Sequence, residues 1–204
     1  MDVSFRTAIS SDIPALREVF GSEPSEEQLG ASGRDRGRAR RFRELIAGSL
    51  FGPSELQRTI VAVAGDKVVG FCQSGAEGGG GVSLRVVWGV VRIFGLRGAL
   101  GFLRRDRLRA RVQMPAPADA FHIAELHVLS SARNLGIGAK LLEQAERTAR
   151  AEGASQMSLT TATNNPAIRL YEGAGFEVVE TKVDADYRAS TGVDGRVMMA
   201  KSLV

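Results

Sequence analysis

The stretch that decides the fold runs from Ala124 to Val179 and reads AELHVLSSARNLGIGAKLLEQAERTARAEGASQMSLTTATNNPAIRLYEGAGFEVV. Short apolar runs of strand length alternate in it with apolar residues at helical spacing. The predicted elements are, in order, a strand (124–129), a glycine turn (133–138), a helix (139–152), a strand (157–161), a helix (166–172), a glycine stop (173–175) and a strand (176–179). Strands that alternate with helices predict an α/β fold.

The glycine turn, Arg133 to Gly138, joins a strand to the N-terminus of a helix. The first backbone N–H groups of that helix have no partner inside it, and the helix dipole makes this end positive, so the turn predicts an anion site. It is not a dinucleotide-binding fingerprint, because Leu141 stands where a third glycine is needed. It is not a P-loop either, because Lys140 is followed by Leu141 and not by a hydroxyl residue for magnesium. The sequence therefore predicts a turn that holds a pyrophosphate on backbone N–H groups without a metal.

The rest of the chain adds strands and helices on both sides of this stretch. The predicted elements before it are a strand (3–9), a helix (12–20) capped by Ser10 or Ser11, a polar loop (21–33), a basic helix (34–50), a hairpin (59–64 and 67–73), a glycine-rich break (75–81) and a fourth strand (121–128). At the end of the chain, two strands (176–183 and 196–203) form a hairpin with a long polar tip (184–195).

The segment from Val82 to Val112 is strongly apolar up to residue 103, although Arg85, Arg92 and Arg97 interrupt it, and it ends in an arginine-rich run. Each arginine costs roughly 2.5–3.5 kcal/mol near the centre of a bilayer, which argues against a transmembrane span. Three interpretations stay open. The segment forms one or two helices that cover a cleft or a partner's surface, it lies as a basic amphipathic helix on an anionic membrane, or it is a loop.

Length and composition predict one domain, residues 1–204, with the apolar and basic helical segment inserted at 82–112. A net charge of +4 and a pI of about 9.7 suit an anionic cofactor or substrate, and the motifs typical of nucleic-acid binding are not found. Cys72 is the single cysteine, which excludes an internal disulfide and fits a reducing compartment. With no N-terminal signal visible, we expect a cytoplasmic protein, and we predict no metal site.

Two motifs resemble those of the GNAT superfamily of N-acetyltransferases. Arg133 to Gly138 matches its signature Gln/Arg-x-x-Gly-x-Gly/Ala, and Asn164 to Phe176 is similar to its second signature, Asn-x-x-Ala-x-x-Leu-Tyr-Glu-x-x-Gly-Phe. The resemblance implies a mixed, mostly antiparallel central sheet that is splayed after the fourth strand, with helices on both faces. Acetyl-CoA would lie in the gap. The segment 82–112 has no place in the minimal fold of the family and is read as a helical insertion.

The resemblance also implies roles for individual residues. The cofactor-binding residues it gives are Leu126, His127, Val128, Arg133, Asn134, Leu135, Gly136, Ile137, Gly138, Ala139, Asn164 and Tyr171. The N–H of Val128 would stabilise the developing oxyanion, and Tyr171 resembles the general acid that protonates the leaving thiolate. Two interpretations without a role in ligand binding stay open: Arg133 is a solvated arginine, and Asn164 or Asn165 caps the helix that follows.

The general base is left open among Glu125, His127 and a water relay. Glu125 and His127 lie two apart on a strand, so both point to one face, and His127 has the more suitable intrinsic pKa. Glu125 is the first choice as the catalytic carboxylate. Residues 158–163 contain no acid, unlike the ribosomal-protein N-terminal acetyltransferases, which puts that substrate class in doubt. We expect His122 and Cys72 to be packing residues.

The sequence thus predicts an acetyl-CoA-dependent N-acetyltransferase that moves an acetyl group to a primary amine by direct attack. The acceptor is a small-molecule or peptide amine, which the fold does not choose. A non-catalytic acetyl-CoA-binding regulatory module is the alternative. A membrane-associated enzyme is a third, less expected interpretation, and no nucleic-acid partner is expected. The resemblance allows a homodimer, because many relatives are dimers.

Overall fold

The computed structural model describes residues 2–75 and 84–204, so most of the predicted glycine-rich break (75–81) lies outside the described residues. The strands are β1 (Val3–Thr7), β2 (Thr59–Ala64), β3 (Lys67–Ser74), β4 (Ala120–Val128), β5 (Gln156–Ala162), β6 (Glu177–Val183) and β7 (Gly195–Ser202). The helices are α1 (Ile13–Gly21), α2 (Glu26–Ala31), α3 (Arg36–Leu50), α4 (Pro53–Leu56), α5 (Leu84–Val112), α6 (Ile137–Ala151), α7 (Ile168–Gly173) and α8 (Ala185–Thr191).

The described strands form one sheet in the order β1-β2-β3-β4-β5-β7-β6, and every neighbouring pair except β4–β5 is antiparallel. The parallel pair is short: it runs from Ala120 opposite Gln156 to Ile123 opposite Leu159. Beyond Ile123, β4 continues to Val128 paired with β3, while β5 continues paired with β7. The two strands therefore separate, and the predicted mixed sheet, open after its fourth strand, is confirmed.

Helices cover both faces of the sheet. On one face α6 buries Leu141, Leu142, Ala145 and Ala149, a set at helical spacing, in a core shared with β2 to β5 and with α7. On the other face α1 and α3 pack through a second core that contains Leu16, Phe20, Ala47 and Phe71. The opening between β4 and β5 thus lies between two separately packed layers.

Helix α5 covers part of the second face. At Gly95 (φ 69°, ψ 172°) the backbone leaves helical geometry, so two helical segments meet at a kink. The first segment packs through Phe94 against Phe42 of α3, with ring centroids 6.2 Å apart, and the second buries Leu108 and Val112 beside Tyr187 of α8. The prediction of one or two helices is confirmed. By length and composition alone, residues 86–112 could also cross a membrane.

Three short helices were not predicted. One of them, α4, is a single turn without a side-chain cap, and the other two begin with a cap. The predicted loop 21–33 contains α2, which Ser25 begins with a capping box: Ser25 Oγ accepts from the Gln28 N–H at 3.3 Å, and Gln28 Oε1 accepts from the Ser25 N–H at 2.9 Å. The predicted polar tip 184–195 contains α8, begun by Asp184, whose Oδ1 accepts from the Tyr187 N–H at 2.8 Å. Both capped helices are too short to show apolar periodicity, so only their caps mark them.

The start of two other helices was predicted wrongly. Before α1, the Asp12 carboxylate accepts from the Ile9 N–H at 2.8 Å, and neither Ser10 nor Ser11 caps the helix. Helix α7 begins at Ile168 and not at Pro166. The other predicted elements agree with the structure to within two residues at each end, the usual uncertainty of a helix or strand boundary.

Candidate active site

The glycine turn places an uncapped helix N-terminus at the surface. Asn134 and Gly136 have φ angles of 61° and 75°, in the left-handed region that glycine adopts freely and asparagine tolerates. No side chain caps α6, and the first bond across the turn runs from the Lys140 N–H to the Gly136 carbonyl at 3.1 Å. The N–H groups of residues 137–139 precede that bond and have no partner within the helix. This end of α6 is therefore built to accept an anion.

Gly138 has a different reason to be glycine. A Cβ atom at this position would lie 2.9 Å from Leu170 Cδ2, because α7 crosses the first turn of α6 there. A larger residue would push α7, and with it Tyr171, away from the turn. The same two helices enclose a groove of about 440 Å³ whose lining includes Ala139, Leu142 and Arg169. The groove leads away from the helix N-terminus and gives a bound nucleotide room to continue.

The residues of the turn that were predicted to bind the cofactor differ in their exposure to solvent. Asn134, Leu135 and Ala139 are exposed, whereas the Ile137 side chain is buried in the core and leaves only its backbone for a ligand. Arg133 is about half exposed: its Nε donates to the Val128 carbonyl at 3.2 Å and its Nη2 pairs with Glu23 at 2.6 Å. Arg133 therefore ties the turn to the end of β4 while about half of its side chain stays exposed to solvent.

The open edge of β4 begins where its pairing with β5 ends. From Ala124 to Val128 the strand has β3 on one side, and no described strand pairs with its other side. Leu126, His127 and Val128 lie on this stretch. Their backbone groups border the opening and are available to an extended ligand that would add to the edge as a strand does.

Glu125 and His127 share one face of β4, as predicted, and they touch. Glu125 Oε2 and His127 Nε2 are 2.7 Å apart, and both side chains are partly exposed. The imidazole is held between Phe20 and Phe71, with ring centroids 5.3 and 5.2 Å away. The pair therefore has a fixed orientation and still reaches solvent.

The charges around Glu125 decide its protonation state. Burial raises the pKa of its carboxyl, but the hydrogen bond from His127 and the positive charges of His127, Arg43 and Arg109 outweigh burial, so the pKa is lowered. Glu125 is accordingly ionised at neutral pH. In that state its Oε2 accepts a hydrogen bond from His127 Nε2.

Tyr171 lies in the core on the opposite face of the sheet. It is 7% exposed, stands on α7 in the core that α6 covers, and packs edge-on against Phe176 at 6.3 Å. Burial, with the negative charges of Cys72 and Glu125, raises the pKa of its phenol, so the hydroxyl stays protonated. Among the described residues, none forms a hydrogen bond with that hydroxyl. The phenol is thus free to donate to a ligand.

The two asparagines of the second motif divide their tasks. Asn165 Oδ1 accepts from the Ala167 N–H at 2.9 Å and its Nδ2 donates to Thr161 Oγ1 at 2.6 Å, so Asn165 shapes the turn before α7. Asn164 is exposed and makes no side-chain hydrogen bond within the described ranges. Asn165 therefore fixes the turn that leads into α7, whose N-cap is Ala167, and Asn164 remains available to a ligand.

A buried arginine on the face of Glu125 was not predicted. Arg43 is 1% exposed, its guanidinium lies 4.0 Å from the centre of the Phe20 ring, and it donates to the Phe20 carbonyl and to Gln28. Burial lowers its pKa to about 10, although Glu125 opposes the shift. The signal in the sequence is its place four residues from both Ala39 and Ala47, which are the buried residues of α3. Of the larger apolar residues of α3, Phe42 packs against α5, whereas Ile46 and Leu50 pack against the second core.

Further charges gather beside this arginine. Glu27 of α2 lies 3.4 Å from Arg109 of α5 and 3.6 Å from Arg196 of β7. Arg109 also acts electrostatically on Glu125. Helices α2, α3 and α5 therefore build the wall of the opening that faces the Glu125–His127 pair, and α5 supplies a charge to it.

The two predicted packing residues are buried. Burial raises the pKa of the Cys72 thiol to about 12, which leaves it unreactive. Burial and the charge of Arg196 lower the pKa of His122 to about 4, and its Nδ1 lies 2.9 Å from Ser158 Oγ. Within the described residues, no group of three or more His, Cys, Asp or Glu side chains could hold a metal ion.

The opened sheet and the helix N-terminus beside it define the class of protein, an acyltransferase whose acyl donor carries a pyrophosphate. The chain belongs to the acetyltransferase (GNAT) family, whose model matches residues 16–176. Enzymes of this family use acetyl-CoA as co-substrate, and the residues present fit it: the free N–H groups at the start of α6 suit its pyrophosphate, and the unpaired edge of β4 suits its extended arm.

Solved structures share the fold at low identity. The PaiA N-acetyltransferase from Thermoplasma acidophilum, in complex with coenzyme A, is 15% identical, with a TM-score of 0.62 over 99% of each chain. The ribosomal-protein-S18-alanine N-acetyltransferase from Escherichia coli is also 15% identical, with a TM-score of 0.57 over 99% of this chain and 94% of that chain. A comparison with curated proteins found no match.

Proposed function

We propose that this acetyltransferase moves the acetyl group of acetyl-CoA to a primary amine by direct attack in a ternary complex. The observation that carries the proposal is the pair of groups on opposite sides of one opening. The Glu125–His127 pair lies on one face of the sheet, and the Tyr171 phenol, buried on the other face, would meet the leaving sulfur in the opening. Direct transfer needs a proton acceptor on the side of the amine and a donor on the side of the leaving sulfur.

The donor half of the site would be held mostly by backbone. The N–H groups of residues 136–139 would bind the pyrophosphate, helped by the dipole of α6. The edge of β4 over 126–128 would bind the extended arm between the pyrophosphate and the thioester. Exposed Asn134, Leu135 and Asn164 would add side-chain contacts, while Arg133 would keep the turn in place. When bound, acetyl-CoA supplies the activated acyl group.

Proton removal is assigned to Glu125 and His127 as a unit. With Glu125 ionised, His127 Nε2 carries the proton of the hydrogen bond between them, and Nδ1 keeps a lone pair that takes a proton from the attacking ammonium, directly or through water. Glu125 then stabilises the imidazolium. The carboxylate is the essential member, because it sets both the tautomer and the charge of the pair.

Bond breaking is assigned to Tyr171 and to the backbone of β4. The Val128 N–H would donate to the acyl oxygen while negative charge develops on it. The Tyr171 phenol would donate a hydrogen bond to the sulfur as the C–S bond breaks, and the sulfur would take the second proton that the amide nitrogen loses, so that a thiol and an amide are the products. No covalent enzyme intermediate is needed.

The acceptor would enter along the wall formed by α2, α3 and α5. Its class is a small-molecule or peptide amine, and the arginines on that wall, Arg43 and Arg109, would act on its charged groups. A cytoplasmic location belongs to the proposal, since the lone cysteine fits a reducing compartment. The resemblance to the family also allows a homodimer, which a measurement of the oligomeric state in solution would test.

Calorimetry with acetyl-CoA and an acceptor screen that detects free CoA thiol test the proposal. We expect micromolar binding of acetyl-CoA and release of CoA with at least one class of amine. Failure to bind at high micromolar acetyl-CoA would overturn the donor site. Tight binding without CoA release across small amines, amino acids, polyamines and peptides would favour the regulatory module.

A further inference from the structure

The outward side of α5 carries an apolar stripe that no described residue covers. Leu96, Leu100 and Leu103 stand on it at spacings of four and three residues, and they are 77%, 69% and 54% exposed. Trp88, in the segment before the kink, is 72% exposed. We call these four residues the α5 apolar face. The three leucines share one side of the segment after the kink, and exposed apolar side chains on successive turns of a helix mark a candidate interaction site.

The arginines of α5 are sorted by the direction they face. Those that face the domain are engaged: Arg105 donates to the Ala31 carbonyl, Arg109 pairs with Glu27, and Arg111 pairs with Asp186. Four other arginines of α5 are exposed and make no ion pair or hydrogen bond with any described residue: Arg92, Arg97, Arg104 and Arg107. On a helix of 100° per residue, Arg97 and Arg104 form a row along one flank of the leucines, and Arg107 continues the leucine row by one turn.

We propose that the α5 apolar face docks on the surface of an anionic phospholipid bilayer. A band of leucines with a tryptophan, bordered by unpaired arginines, matches the two layers of such a surface: the leucines enter the acyl boundary and the arginines meet the phosphates. The tryptophan lies at the depth that its amphipathic ring favours, between the hydrocarbon and the headgroups.

Two other occupants fit the charges less well. In a symmetric dimer the same patch faces itself, which would place four unpaired arginines against four others, with Asp106 as the one acid on the described part of α5. A transmembrane position would carry Arg92 and Arg97 into the hydrocarbon and would expose the face that α5 now buries against Phe42 and Tyr187. Lying flat on the bilayer keeps both the charges and the internal packing.

Trp88 is the single tryptophan of the chain and therefore reports directly on docking. The full-length protein is mixed with vesicles of phosphatidylcholine containing phosphatidylserine, and with phosphatidylcholine vesicles as the neutral arm. We expect co-sedimentation with the anionic vesicles, weakened by salt, together with a blue shift of Trp88 emission and quenching by lipids brominated near the headgroup. Binding without any change of Trp88 emission would overturn the docking face.

Variants separate the two components. Arg97→Gln with Arg104→Gln should weaken partitioning about 25-fold, since each arginine near an anionic surface contributes about fivefold. Leu96→Ser with Leu100→Ser should weaken it by at least about tenfold. The matched controls are Arg147→Gln and Val179→Ser, an exposed arginine of α6 and an exposed apolar residue of β6, and they should partition as the parent does.

The remaining outcomes each decide against the proposal. Equal partitioning of the arginine variant and its control would remove the electrostatic part. Sedimentation equilibrium that shows a dimer abolished by the leucine variant would assign the face to a second copy. Retention in the bilayer after alkaline carbonate would show a spanning helix. Acetyl-CoA binding by each variant serves as the folding control, because the α5 apolar face lies apart from the donor site.

Discussion

Tyr171→Phe tests the chemistry with the least disturbance of the fold. The substitution removes one oxygen and keeps the ring that packs against Phe176. Because no described residue hydrogen-bonds to the hydroxyl, its loss leaves no buried partner unsatisfied. We expect the free energy of unfolding to change by less than about 1 kcal/mol.

The expected loss of turnover follows from the surroundings of the phenol. Burial raises its pKa well above that of a thiol, roughly 8.5, so complete proton transfer to the leaving sulfur is uphill. The phenol therefore acts mainly by donating a hydrogen bond as charge develops on sulfur. General acids contribute about 10²–10⁴-fold, and we expect the lower end, about 10²-fold in kcat.

Single-turnover release of CoA thiol at saturating acetyl-CoA is the assay, since it separates the chemical step from product release. Calorimetry on the same samples gives the Kd for acetyl-CoA, which we expect to stay within about threefold because the donor is held by backbone groups elsewhere. An unchanged single-turnover rate would refute the donor role of Tyr171. A rate and an affinity that fall together would show that the hydroxyl serves binding instead.

The other predictions concern the base, the turn and the buried histidine. Glu125→Gln should lower kcat/KM about 100-fold, because the hydrogen bond that orients His127 is weakened, and an unchanged rate would remove Glu125 from the mechanism. Gly136→Ala and Gly153→Ala place the same strain at φ 75° and 76° with open space around each Cβ, so both should cost about 1 kcal/mol in thermal unfolding, while only the first weakens acetyl-CoA binding. The pKa of His122 is about 4 in the folded protein, below its value of roughly 6.5 in the unfolded chain, so the unfolded chain binds the proton more tightly. The free energy of unfolding should therefore fall by about 3 kcal/mol as pH drops from roughly 6.5 to 4. His122→Gln should flatten that part of the profile, and an equal slope in both proteins would contradict the assignment.

Features that depend on a few adjacent residues could be predicted from the sequence. The turn at Gly136 and the start of α6 follow from local backbone preference and from the apolar spacing of the next four turns. The shared face of Glu125 and His127 follows from the two-residue period of a strand. The predictions of the family and of the open sheet rested on two motifs, both of which lie in the second half of the chain.

Other features needed the tertiary structure because distant segments create them. Sequence spacing suggests that Glu125 and His127 are neighbours, but the lowered pKa of Glu125 depends on Arg43 and Arg109, which α3 and α5 bring to it. The different tasks of Asn164 and Asn165 became visible only from the positions of Thr161 and Ala167, which Asn165 contacts. A charge acts through space, so a sequence without coordinates does not show which charges meet.

Helix α5 shows both contributions in one element. The sequence by itself determined that residues 82–112 are apolar, interrupted by arginines and poorly suited to cross a bilayer. Only the tertiary structure decided which side is inward, by packing Phe94 on Phe42 and Leu108 beside Tyr187, and so left Leu96 and Leu100 outside. The physical reason is that helical periodicity fixes which residues share a face, whereas the burial of that face depends on the partner that the rest of the fold places against it.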